Sequence, residues 1–516
     1  MTEGGIRRFA AWWGAFGVLV CLAAPLAVGS VCYEDFGAVG DGKADDREAI
    51  VRTHEAANQR GESVRATDGK TYYVGGGTAC AKVMTDVDFG KAKFVIDDRQ
   101  PKKIYSPLFR LVPSDQPFPV KGLVRLAKGQ ADLGLKLKSP CLIHLKNDKV
   151  KRYIREGLNR NNGSAQQETI LVDAEGRIDP AAPVIWDYDA VTQATAYPVD
   201  ARTLVVKGGV FVTIANQHES KYDYHNRGFV IERSNVRIEG VRHEVTGELD
   251  HGAPYAGFFS FSHCANVVVT GCVFTAHRTY STIGAAGKPV SMGSYDISAN
   301  NSINLAFVDC RQTTDILDTR YWGIFGSNYC KNLLYDGCEF SRFDAHMGVA
   351  NATVRNSRLG HTGINAIGFG RLLVENTTFH GRSFIVLRGD YGSTWNGDFV
   401  IRNCRYVPFN GKKSTVPVLV RGSNAERHDF GYACQMPRRI LIDGLEIDDA
   451  KHPDNYSGPS LFGEFNLKAN VPENRGPYPY ALTETVTLRN IRTTSGKPLG
   501  LGPNQARFKN VHLVRQ

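Results

Sequence analysis

From about residue 205 the chain repeats a short phrase in which apolar and polar positions alternate, then stop at Gly, Asn or Asp before a small or apolar residue. It reads Val236-Arg-Ile-Glu-Gly240-Val241, Val267-Val-Val-Thr-Gly271-Cys272, Leu305-Ala-Phe-Val-Asp309-Cys310 and Leu333-Leu-Tyr-Asp-Gly337-Cys338. It returns at Ala352 to Ser357, Leu372 to Thr377, Phe399 to Cys404, Ile440 to Leu445, Val486 to Ile491 and Ala506 to Val511, at intervals of 19 to 46 residues. Alternation of period two predicts strands with one buried face, and Gly or Asn at the stop fits a left-handed bend. No helical stretch separates the copies, so the pattern predicts a solenoid whose coils bury their apolar faces against one another. Cys272, Cys310, Cys338 and Cys404 then share one inward position with Ser357 and Thr377, where they act as small core fillers rather than redox groups.

Residues 47–100 read as a helix and the first strands. Residues 101–204 leave the phrase: they are rich in Lys and Arg (Lys146, Lys149, Lys151, Arg152, Arg155), with turns at Asn161-Asn-Gly163 and Pro180-Ala-Ala-Pro183. This stretch is expected to form an inserted β-rich side domain, either lining a substrate groove or decorating the surface. Residues 405–436 and 446–485, with Pro, Gly and Tyr456, Tyr478 and Tyr480, are expected to be long loops between late coils.

The stretch 33–46, Tyr-Glu-Asp-Phe-Gly-Ala-Val-Gly-Asp-Gly-Lys-Ala-Asp-Asp, resembles the opening of the pectate-lyase-like superfamily. Gly37, Gly40 and Gly42 allow tight turns, and Asp45 or Asp46 can cap a helix starting near Arg47. The resemblance implies an all-β fold, a single-stranded right-handed parallel β-helix with an N-terminal capping helix that closes its first coil. It also implies a protein that acts on polysaccharides, without specifying the reaction. The expected organisation is therefore a signal peptide at 1–30, cap and first coils at 31–100, the side domain at 101–204 and the β-helix at 205–516.

Composition narrows the partners. The 516 residues are 42% hydrophobic and 22% charged, as in an ordinary globular protein. Arg7 and Arg8 precede an apolar run from Phe9 to Val28 that ends in Gly29 and Ser30, the pattern of a secretory signal. A retained membrane anchor is the alternative, since the run approaches the ~20 residues that span a bilayer. Loss of two Arg and one Glu with that segment lowers the formal charge from +10 to +9. A secreted or periplasmic basic protein favours an acidic polysaccharide; no recognised binding module or aromatic-interleaved basic stripe points to nucleic acid. Ten of the eleven Cys lie outside the signal, and none shows zinc-like C-x-x-C spacing.

Ionisable residues concentrate in one window: Asp315-Ile-Leu-Asp318-Thr-Arg320-Tyr321-Trp322, Arg342-Phe-Asp344-Ala-His346, His361 to Asn365, and Arg388-Gly-Asp390-Tyr391. Counting eight residues from Cys310, Cys338 and Ser357 predicts that Asp318, His346 and Asn365 stack in one column across coils about 4.8 Å apart. Two chemistries fit. In β-elimination, His346 or His361 removes the C5 proton of a uronate while Arg320, Arg342 or Arg388 neutralises its carboxylate and Tyr321 or Tyr391 protonates the leaving oxygen. In hydrolysis, Asp344 pairs with Asp318, Asp315 or Asp390 across the glycosidic bond. Asn365, Trp322 and Trp395 are candidate sugar contacts, and Asp315, Asp318 and Asp344 a possible calcium site.

The order of elements is loosely similar to polygalacturonases, but Gly360-His361-Thr362-Gly363 departs from their Gly-His-Gly and Arg388 is followed by Gly-Asp rather than x-Lys. No catalytic role is carried over from them. The favoured expectation is a lyase on an acidic glycan, with a hydrolase, an epimerase and a non-catalytic glycan binder as alternatives. A second polar stretch, His218, His225, His243 and His251 with Tyr222, Tyr224, Asp223 and Asp250, is read as surface loop or subsite.

Overall fold

The computed structural model describes residues 29–99, 105–216, 224–249, 255–323, 325–408, 416–463, 465 and 476–516. The expected signal at 1–28, and His218, Tyr222, Asp223, Asp250 and His251, lie outside them. Among the described residues, twenty-nine strands pair in parallel into one continuous sheet that winds as a parallel β-helix. One inward register runs Leu204, Val236, Val267, Leu305, Leu333, Ala352, Leu372, Phe399, Ile440, Val486 and Leu513, each the partner of the next. The repeated phrase is the strand on this first face.

The bends behave as their residue types require. Asp309, Asn356, Asn376, Asn403 and Asn490 hold φ between 48° and 52°, a left-handed conformation that Asn and Asp tolerate better than most side chains. Past the bend, Cys272, Cys310, Cys338 and Cys404 are buried free thiols, and Cys310 and Cys338 each contact the carbonyl two residues back. The copy at Ala506 to Val511 is the exception: those residues form turns, and the last strand is His512–Arg515. Phe508 fills the core there from a turn, so an apolar residue in the right place mimicked a strand.

At the N-terminus the helix Arg47–Arg60 buries Ala49, Ile50, Thr53, His54 and Ala57 over the first coil, with His54 edge-on to Phe109 at 5.6 Å. Asp46 occupies the N-cap position, yet its carboxylate accepts Val39 N–H at 2.6 Å and pins the glycine turn instead. Asp45 accepts the Arg47 N–H at 3.1 Å.

Residues 112–203 leave the helix between the strand Phe109–Leu111 and the strand Leu204–Ile214, which stacks on Val87–Asp97 and begins the next coil. Four of their strands, Phe118–Pro119, Cys141–Arg152, Ser164–Val172 and Gln193–Pro198, form a separate antiparallel sheet with its own core of Leu126, Ile143, Leu145, Ile170 and Tyr188. A buried ion pair, Lys331 Nζ to Glu168 at 2.7 Å, fastens this sheet to the β-helix. Lys331 also donates to the Pro183 carbonyl at 2.6 Å, so its ammonium is solvated by protein rather than water.

Candidate active site

A third face of the coil carries the site. Here Ser327, Ala345, Ala366 and Leu387 are register partners and point inward. Strand alternation therefore turns Asp344, His346 and Asn365 outward. Two consecutive coils, Glu339–Arg355 and Arg358–Glu375, run as unbroken strands with no intervening loop. Loops from neighbouring coils then close over this bare stretch.

His346 ends a ladder of side chains. Asn328 Nδ2 donates to Asn300 Oδ1 at 2.8 Å, which leaves Asn328 Oδ1 as the acceptor for His346 Nδ1 at 2.7 Å. That assignment places the proton on Nδ1 and the imidazole lone pair on Nε2. Nε2 has no hydrogen-bond partner among the described residues. Burial pushes the His346 pKa well below the ordinary histidine value, and Arg388, Arg342 and Arg155 add to the shift. The ring is a neutral base with an open lone pair.

Three guanidinium groups converge beside it. Arg342 Nη2 reaches Asp344 Oδ2 at 2.5 Å, both side chains almost fully buried, with the Trp322 ring over the guanidinium at 4.8 Å. Arg388 and Arg155 both hold Asp390 Oδ2 at 2.7 Å, and both lie over the Tyr391 ring, at 5.3 and 5.2 Å. Burial alone would raise the Asp390 carboxyl, but Arg388 and Arg155 outweigh it and hold its pKa below the usual range. The same carboxylate, with Asp344, raises Arg388 despite its burial. Tyr391 stands edge-on to His346 at 5.7 Å, and burial raises its pKa, so it keeps its proton. Three guanidiniums against two carboxylates leave one positive charge in the cluster.

Four buried polar atoms of these and adjoining side chains have no protein partner among the described residues: Trp322 Nε1, which packs against Gly293, Ser341 Oγ, Arg342 Nε and Asp344 Oδ1. An unmet buried group costs about 1–3 kcal/mol, so these four mark a buried polar cluster that the described chain leaves under-satisfied.

Several sequence expectations need correction. Asn365 is the register partner of Asp344, not of His346, because a register shift between Phe340 and Arg342 changes the count. Asp318 is not in that column either; it sits in the loop before Tyr321, where Arg320 Nη2 reaches it at 2.6 Å. Asp315, Asp318 and Asp344 do not converge, and no group of three His, Cys, Asp or Glu suited to a metal occurs among the described residues. Trp395 is fully buried and donates Nε1–H to the Gly370 carbonyl at 2.9 Å, so it packs the core instead of stacking on sugar. His361 donates from Nε2 to the Tyr321 carbonyl at 3.0 Å and braces the strand Tyr321–Gly323. Arg320 lies over the Tyr321 ring at 5.9 Å, with its side chain 70% exposed. Of the expected set, His346, Asp344, Arg342, Arg388, Asp390, Tyr391 and Trp322 come together.

Arg155 and Asn328 were missed. Arg155 reaches the site because the tip of the inserted sheet is clamped by backbone bonds, Ile154 N–H to Phe430 O at 3.1 Å and Glu156 N–H to Asp390 O at 3.0 Å. Its place in a basic stretch far upstream in sequence gave no signal of this.

No protein-family model matches the chain. A capsule KL64-specific depolymerase of Klebsiella phage P510 is 29% identical over 136 residues, which is 22% of this chain and 13% of that protein. Among solved structures, the tailspike gp61 of Pseudomonas phage phi297 is similar with a TM-score of 0.57 at 13% identity, over 95% of this chain and 84% of that one. An exopolygalacturonase of Thermotoga maritima is similar with a TM-score of 0.39 at 11% identity, over 94% of this chain and 91% of that one. The chain has the all-β, parallel β-helix fold of the pectate-lyase-like proteins.

Proposed function

We propose that the protein is an exported polysaccharide-degrading enzyme that cleaves an acidic glycan by β-elimination on the His346 face. The observation that carries this reading is the His346 ladder: a neutral imidazole whose proton is fixed on Nδ1 and whose Nε2 is open, within a ring of arginines. A uronate carboxylate placed against Arg388 and Arg155 would lose charge density and its C5–H would acidify. Nε2 takes that proton, the C5 electron pair forms the C4=C5 double bond, and the C4–O bond breaks. Tyr391 protonates the departing oxygen. General acid–base assistance of this kind contributes about 10²–10⁴-fold. The capsule-depolymerase similarity supports a polysaccharide as the substrate class, and the +10 formal charge favours one of acidic character.

Hydrolysis is the second reading, favoured by the orphaned Asp344 Oδ1. Asp390 is a poor general acid for it, since two arginines keep it ionised. The test is incubation with a panel of acidic and neutral polysaccharides, followed for ultraviolet absorbance of the unsaturated uronate and for reducing ends. Absorbance that appears on an acidic glycan and vanishes in His346→Ala supports elimination. Reducing ends without absorbance transfer the chemistry to Asp344 and hydrolysis, and silence in both channels overturns the enzyme reading.

A further inference from the structure

A second polar centre lies on the neighbouring face, outside the chemistry above. A cleft of about 340 Å³ is lined by Arg242, Glu244, Glu248, Arg278 and Tyr321. Behind its wall runs a buried chain of hydrogen bonds. Thr213 Oγ1 meets His243 Nε2 at 2.9 Å, His243 Nδ1 meets Asp296 Oδ1 at 2.7 Å, and His277 Nε2 meets the same oxygen at 3.2 Å. His277 Nδ1 then reaches Glu248 Oε1 at 3.1 Å. Side chains in this chain are between 0% and 9% exposed at His243, Asp296, His277 and Glu248.

Such a network is costly to bury unless every member is paired, and here each one is. Its effect is to fix Glu248 at the cleft wall. Burial would lower the His277 pKa, but Asp296 and Glu248 raise it to about 9, so an imidazolium backs the carboxylate. Glu248 receives His277 on Oε1 and the Arg278 N–H on Oε2 at 3.2 Å. A carboxylate accepts about four hydrogen bonds, so acceptor capacity remains for donors entering from the cleft.

The strand Tyr321–Gly323 joins this cleft to the His346 site. Successive side chains of a strand point to opposite faces. Tyr321 lines the cleft, whereas Trp322 covers Arg342 beside Asp344. One two-residue partition therefore presents an aromatic ring to each side. Arg242 and Glu244 pair at 2.5 Å, and Arg278 stands in the lining against Glu248, so the cleft offers no excess positive charge to draw a second uronate.

We propose that this cleft is a saccharide-binding site for a neutral sugar residue of the same polymer whose uronate occupies the His346 site. Glu248 accepts its hydroxyls and Tyr321 packs on its ring, so the preferred glycan alternates acidic and neutral units. The proposal rests on the reading of the His346 site as the uronate site. Its test is affinity electrophoresis of the full chain carrying His346→Ala, in gels containing either polygalacturonate or a mixed bacterial capsular polysaccharide of uronate and neutral hexose. The expected result is stronger retardation by the mixed polymer, weakened at least tenfold by Tyr321→Ala and by Glu248→Gln. Retardation by polygalacturonate should be unchanged in both. Equal retardation with and without Tyr321→Ala, at an unchanged unfolding temperature, overturns the proposal, and so does failure of the mixed polymer to retard the protein. Failure of the elimination reading registers separately, as missing ultraviolet absorbance from the wild type, because the gel requires no turnover.

Discussion

Two of the ladders of stacked polar side chains that climb this β-helix differ in how they end. On the first face, Asn266, Asn304, Asn332 and Asn351 each donate from Nδ2 to the preceding Asn, at 2.8 to 3.2 Å, starting from Asn235. The last oxygen, Asn351 Oδ1, accepts the Arg371 backbone N–H at 3.0 Å. That ladder is closed: it satisfies the left-handed positions at which those Asn residues sit, with φ of 56–58°, and exposes no reactive lone pair. The third-face ladder, Asn300 to Asn328 to His346, ends on an open Nε2 beside orphaned atoms of Arg342 and Asp344. Identical amide stacking supports architecture in one case and presents a base in the other. What separates them is the accounting of donors and acceptors, not residue type.

The largest effect expected from this difference is on turnover. His346→Ala should lower product formation by about 10²–10⁴-fold with the unfolding temperature nearly unchanged, measured by absorbance on whichever acidic glycan the wild type cleaves. Retained activity would reduce the open ladder to architecture. Next comes Asp344→Ala, which strands the buried Arg342 guanidinium. Breaking a buried pair from one side costs about 3–5 kcal/mol, so its chemical denaturation midpoint should fall far more than that of any first-face Asn variant.

A third effect is on pH. The base works only when neutral, so activity is present above its folded pKa and lost as pH falls through it. Because burial and three arginines push His346 well below the ordinary value, kcat/KM should hold steady from pH 7.5 to 5.5. An ordinary histidine, near 6.5, would lose about tenfold by pH 5.5. An acid limb centred near 6.5 would place the base elsewhere.

The coils were legible in the sequence because period-two alternation and Asn or Gly bends are local signals, and burial follows directly from them. Arg342, Asp344 and His346 were legible as a group because they alternate on one strand. The column through Asp318 and Asn365 was not, since a bulge and a loop change the count without changing composition. Trp395 could not be told from an exposed platform, because its hydrogen bond to Gly370 depends on a neighbouring coil. Arg155 was out of reach for the strongest reason: it arrives from an inserted sheet 235 residues upstream of Asp390. Local pattern specifies the solenoid, whereas the site is assembled by contacts between segments distant in the chain.

The smallest expected effect sharpens the comparison from the other side. Asn332 donates to Asn304 and accepts from Asn351 in the closed ladder, at a bend with φ of 57°. Asn332→Ala removes two hydrogen bonds worth about 1 kcal/mol each, and it imposes a left-handed strain of about 1–2 kcal/mol on Ala. The residue is half-buried, so water replaces part of what is lost, and a drop of roughly 1–2 kcal/mol in unfolding free energy follows. Asn332→Gly relieves the strain and should recover part of that loss, which isolates the backbone contribution from the ladder's own. Neither variant should alter turnover, because no atom of Asn332 hydrogen-bonds to His346, Arg342 or Asp344. A turnover loss in Asn332→Gly at full stability would mean that the two ladders are mechanically coupled through the coil, and that closure of one sets the geometry of the other.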